Sequence, residues 1–125
     1  MEQSKKSMPL QQIKRGEIYW ANLDPTIGAE IKKTRPVLVV SNNINNTYSP
    51  LVTILPISSN VKNPYPYEVL VEKGIAGLKN ASIIKANQIK TIDKKRINGQ
   101  LIGFIDNSDI MEQVNKAIKI HLHLY

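Results

Sequence analysis

The sequence predicts a mainly β, α+β domain in which short antiparallel strands precede one C-terminal helix. Three observations predict it. The first is the stretch RPVLVVSNNINNTYSPLVTILPISS, residues 35–59, where two runs rich in Val, Ile and Leu (37–40 and 51–57) flank a segment of Asn, Ser and Pro. Side-chain capping by Asn and Ser, with the fixed φ of Pro, makes residues 42–50 a turn joining two strands. The second is the recurrence of short apolar segments behind Gly, Pro and Asn, the punctuation of a chain that reverses often. The third is a single helical stripe over residues 106–125, where Ile110, Val114, Ala117, Ile118, His121, Leu122 and Tyr125 recur at spacings of three and four.

Residues 1–13 show no usable period and read as a flexible N-terminal arm, leaving 14–125 as a single domain. Gly16 opens a strand over 17–23, in which Trp20 reads as a core or interface residue rather than a base-stacking platform. Residues 24–34, with Pro25 and Gly28, form an exposed loop carrying Glu30 among Lys32, Lys33 and Arg35. Glu30 is either a carboxylate that closes over a charged substrate or one half of a surface ion pair. Residues 67–72 alternate as a strand, 73–80 turn at Gly74 and Gly77, and 81–86, 89–92 and 101–105 supply further strands. Asp109 and Glu112 pair as a helix cap, and Lys116 and Lys119 suit the negative end of the helix dipole. His121 and His123 lie on this helix, far from Arg35 in sequence, and read as structural or terminal residues.

A chain of 125 residues is long enough for one hydrophobic core. The lack of Cys excludes disulfides and thiolate metal sites and fits a reducing compartment. No run approaches membrane-spanning length and no signal peptide is apparent, so a soluble cytoplasmic protein with no membrane partner is expected. The formal charge of +7 and pI near 9.7 point to a polyanion, nucleic acid before membrane. Lys79, Lys85, Lys90, Lys94, Lys95 and Arg96, with only Asp93 against them, form either a backbone track or a solvated face. If the two central strands pair antiparallel, Arg35 and Ser58 meet at their open end, and a guanidinium beside a hydroxyl suits phosphate chemistry. No His, Asp or Glu cluster has metal-ligand spacing and no Gly-rich phosphate loop is present, so neither metal nor cofactor is expected.

The segments RGEIYWANLDPTIGAEIKKTRPVLVVSNN, SPLVTILPISS and NQIKTIDKKRI, in that order from Lys14 onward, resemble the MazF/PemK family of endoribonuclease toxins from toxin–antitoxin modules. The resemblance implies a small SH3-like barrel of antiparallel strands with a C-terminal helix, working as a homodimer. It implies metal-independent, sequence-specific cleavage of single-stranded mRNA, inhibiting translation and growth, and a cognate antitoxin whose flexible tail occupies the RNA site. Arg35 matches the family's catalytic arginine, Ser58 stands where many members have Thr, and Glu30 falls on the family's loop carboxylate. Lys32, Lys33, Ser59, Lys85, Asn87, Gln88 and Lys90 become substrate-binding positions. Asn87 replaces a usual acidic residue, which shifts base preference before chemistry because an amide both donates and accepts. The implied reaction is attack of the ribose 2′-hydroxyl on its own phosphate, with Arg35 and Ser58 stabilising charge. A guanidinium is a poor base, so Glu30 is the candidate proton acceptor. The rival readings are a toxin of the same fold that poisons DNA gyrase without cleaving, and a catalytically silent RNA-binding module.

Overall fold

The structure, a computed structural model, describes residues 12–124. Seven strands, β1 (Glu17–Asn22), β2 (Thr34–Val39), β3 (Leu51–Ser58), β4 (Glu68–Val71), β5 (Ser82–Lys85), β6 (Lys90–Asp93) and β7 (Ile97–Phe104), combine with helices α1 (Asn43–Tyr48) and α2 (Ser108–Leu122). Every strand pairing is antiparallel, in the order β4-β5-β3-β2-β1-β7, with β6 also on β3. Strand β3 is the hub. One of its edges meets β2, while its other edge meets β6 through Leu51–Ile54 and then β5 through Ile57 and Ser58.

The apolar runs of β2 and β3 are continuous because both faces of the sheet are buried. Alternate residues point to opposite sides. Ile18, Leu38, Leu55 and Ile57 join Ile110, Val114 and Ala117 of α2 in one core, while Tyr19, Ala21, Val37, Val39, Val52 and Ile54 form a second. The ladder does not close into a barrel among the described residues: β4 and β7 are its two ends. A 3₁₀ turn at Ile75–Gly77 lies directly against β7. The approach is possible only without side chains, since a Cβ on Gly103 would sit 1.9 Å from the Ala76 carbonyl oxygen and one on Gly77, at φ +78°, 2.3 Å from that of Ile102.

Three expectations change. Residues 42–50 are not a plain turn but contain α1: Asn42 caps it by accepting from the Asn45 amide at 2.8 Å, and Asn46 is buried, donating to the Ser41 carbonyl at 2.8 Å. Turn-forming Asn residues become helical here because one caps and another fills a polar niche. Helix α2 is capped by Asn107, whose side chain accepts from the Asp109 and Ile110 amides, instead of by an Asp109–Glu112 pair. Ile13, assigned to the arm, is buried in the second core; residues 1–11 of that arm lie outside the described residues. The histidines behave as structural or terminal groups, His121 against the Tyr67 ring at 6.3 Å and His123 as the left-handed residue ending α2.

Candidate active site

Strands β2 and β3 pair at Val37↔Pro56, Leu38↔Leu55 and Val39↔Ile54. Arg35 in β2 and Ser58 in β3 both lie two residues beyond the last of these pairs, Val37↔Pro56. The β2–β3 pairing ends at Pro56, while on the opposite edge of β3 Ile57 and Ser58 pair with β5.

Adjacent residues of β3 then face different cavities. Ile57 lines one, of about 460 Å³, together with Trp20, Arg35, Pro36, Ser59 and Lys79. Pro56 lines the other, of about 480 Å³, with Glu30, Ile31, Asn87, Gln88 and Lys90. Arg35 links the two. It borders the first, and its Nε donates to the Lys32 carbonyl at 3.1 Å, in the loop whose residues 30 and 31 border the second. The loop is braced from within by the Ile27 amide donating to Glu30 Oε1 at 2.8 Å. It is pinned from outside by the Ile31 amide donating to Gln88 Oε1 at 2.7 Å.

The structure sorts the residues proposed from sequence. Arg35 and Ser59 share a cavity, and Glu30, Asn87, Gln88 and Lys90 share its neighbour. Ser58 is buried, its Oγ accepting from the Asn60 amide at 3.2 Å, whereas Ser59 is exposed. Accepting that bond leaves the Ser58 proton available to donate. Glu30 does not line the Arg35 cavity. Lys32 and Lys33 are exposed on the loop; the Lys33 backbone, at φ 69°, donates to Asp24 Oδ1 at 3.0 Å and accepts from the Leu23 amide.

Lys85 is held in an ion pair. Its ammonium lies 2.9 Å from Glu68 Oε2 on the adjacent strand, where the register sets the two residues opposite each other. Burial pushes the Glu68 carboxyl up, but the Tyr65 amide, the hydrogen bond and charge of Lys85, and the charge of Lys62 outweigh it and hold the group below its ordinary value. Other members of the basic cluster also bond within the fold. Lys94 Nζ donates to the Asn46 carbonyl at 2.6 Å and Arg96 to the Asn22 and Asp24 carbonyls, so both stitch the fold together. Lys79 and Lys90 face the two cavities instead. Among the described residues, no group of three or more His, Asp or Glu is placed to hold a metal ion, and no helix is long and apolar enough to cross a membrane.

Residues 14–122 match the family model for the PemK-like, MazF-like toxin of type II toxin-antitoxin system. The chain belongs to this family. It is 35% identical over 113 residues to Endoribonuclease EndoA of Bacillus subtilis (strain 168), covering 90% of this chain and 96% of that protein. The fold is similar to the crystal structure of MazF (Form-I) from Deinococcus radiodurans, with a TM-score of 0.76 at 22% identity, covering 89% of this chain and 96% of that one. It is also similar to an endoribonuclease in complex with its cognate antitoxin from Mycobacterial species, with a TM-score of 0.74 at 23% identity over 90% of this chain and 97% of the other.

Proposed function

We propose that this toxin is an endoribonuclease that cuts single-stranded mRNA in the cytoplasm and so arrests translation and growth. The observation that carries the reading is Arg35 in one cavity with exposed Ser59, at the end of the β2–β3 pairing. The 35% identity to an endoribonuclease supports it. The ribose 2′-hydroxyl attacks the adjacent phosphorus while the bond to the 5′-oxygen breaks and that oxygen takes a proton from solvent, giving a 2′,3′-cyclic phosphate and a free 5′-hydroxyl. The nucleophile comes from the substrate, so the protein's task is to stabilise charge on the phosphoryl oxygens. Arg35 does this by charge and hydrogen bonding, and Ser58 by its remaining O–H. We assign the proton from the 2′-hydroxyl to Glu30, which lines the neighbouring cavity on the loop to which Arg35 is tied, so this step requires the bound substrate to draw that loop over the phosphate. The neighbouring cavity, with Asn87, Gln88 and Lys90, takes flanking nucleotides, and Lys32 and Lys33 offer phosphate contacts. The protein works as a homodimer, and a cognate antitoxin restrains it by occupying the same surface. Similarity to a toxin seen with its cognate antitoxin supports the latter assignment.

The test is incubation of a long RNA with pure protein in EDTA, reading new ends by primer extension and their chemistry by kinase labelling. New 5′-hydroxyl ends at recurrent sequences are expected, and Arg35→Ala should slow their appearance at least ~100-fold, the scale of losing one preorganised donor. Intact RNA, or equal cutting by the variant, would overturn the reading.

A further inference from the structure

We propose that Trp20 is the stacking platform for a nucleobase next to the phosphate held at Arg35. Four other apolar residues on or just after β1, Ile18, Tyr19, Ala21 and Leu23, are buried, but Trp20, the only tryptophan of the chain, is 45% exposed. Its position explains this. Trp20 shares a sheet face with Ile18 but lies one step closer to the open end, opposite Pro36, where the first core gives way to the cavity.

An indole here does not complete the core. It lines the cavity that also holds Arg35, Ser59 and Lys79, with half-exposed Leu101 as a further apolar surface. A cavity of about 460 Å³ lies in the range that takes a small-molecule-sized group. An exposed aromatic face beside cations is the combination that binds single-stranded nucleic acid, the cations meeting phosphate and the ring meeting a base. A base is a flat occupant for such a ring, and its linked phosphate falls within the same site. The assignment rests on the reading of the Arg35 cavity as the phosphate site.

The test uses the full chain and a mixed-sequence single-stranded 2′-O-methyl RNA, which lacks the attacking hydroxyl. Because Trp20 is the only indole, its emission reports the site directly: quenching should track binding followed independently by anisotropy of a labelled strand. In cleavage assays, Trp20→Leu should raise KM roughly 5- to 150-fold, the range for removing one base–aromatic stack, with a smaller change in kcat. Trp20→Phe should restore most of the loss. Unchanged emission at saturation, a wild-type KM in Trp20→Leu, or an altered oligomeric size of that variant by light scattering would overturn the stacking role. If cleavage is absent in the wild type while quenching persists, the endoribonuclease reading fails and stacking stands; if cleavage proceeds without quenching, the reverse holds.

Discussion

Replacing Lys85 with Met removes the ammonium 2.9 Å from Glu68 Oε2 and keeps most of the apolar stem. The Glu68 side chain is only 8% exposed, so the stranded carboxylate rehydrates poorly and keeps the Tyr65 amide, at 3.0 Å, as its donor. Breaking a fully buried pair from one side costs about 3–5 kcal/mol, whereas an exposed pair contributes about 1 or less. With Lys85 itself 26% exposed, about 1–3 kcal/mol is expected. At about 2.1 cal/mol/K of unfolding entropy per residue, a chain of 125 residues loses about 4 °C of Tm per kcal/mol, giving a fall of about 4–12 °C.

The pH dependence fixes the cause of that loss. A carboxyl whose folded pKa is depressed contributes stability that is complete above its unfolded pKa, about 4.3, and disappears as pH falls through the folded value. In the variant burial is no longer opposed by Lys85, so Glu68 takes up its proton at a higher pH than in the wild type. The Tm gap should therefore be widest near neutrality and close as pH falls through and below about 4. Circular dichroism melts from pH 3 to 8 measure it. A drop of under about 1 °C at pH 7, coupled with a salt slope for RNA binding shallower by about 0.7, would refute the reasoning and make Lys85 a phosphate contact.

Gly103→Ala should destabilise by about 1–3 kcal/mol or more, because the obstructing atom is a backbone oxygen; urea unfolding indistinguishable from wild type would disprove the close approach of the 75–77 turn to β7. Asn107→Ala should cost about 1 kcal/mol through loss of the α2 cap, and Asp109→Ala distinctly less; the opposite ranking in thermal melts would return the cap to Asp109. Gln88→Leu removes the acceptor of the Ile31 amide, and that amide should exchange about 5-fold faster, on the basis of one hydrogen bond worth about 1 kcal/mol. Unaltered exchange at Ile31 would show that the loop is held by other contacts.

The antiparallel strand pair was legible because continuous Val, Ile and Leu runs demand two buried faces. The helix was legible because a stripe at spacings of three and four admits one solution, although its cap was misplaced by two residues. Helix α1 was hidden because its Asn residues favour turns locally, and only the burial of Asn46 against Ser41 makes them helical. The fate of Lys85 was hidden for a similar reason: its partner Glu68 is 17 residues away and meets it only through the β4–β5 register. Trp20 carried no local sign of exposure, since β1 alternates into two cores and only the end of one of them uncovers it. The separation of Glu30 from the Arg35 cavity depends on how a loop drapes across the sheet, which periodicity does not encode.

The central claim is that the substrate's own 2′-hydroxyl is the nucleophile and Arg35 the charge stabiliser. It is tested most directly by a short RNA containing one mapped cleavage site and a twin with a single 2′-deoxy sugar at that position. Both strands should bind with the same affinity, and only the ribose strand should be cut, to a 2′,3′-cyclic phosphate and a 5′-hydroxyl. Cutting of the deoxy twin, or 5′-phosphate ends on either, would contradict the account.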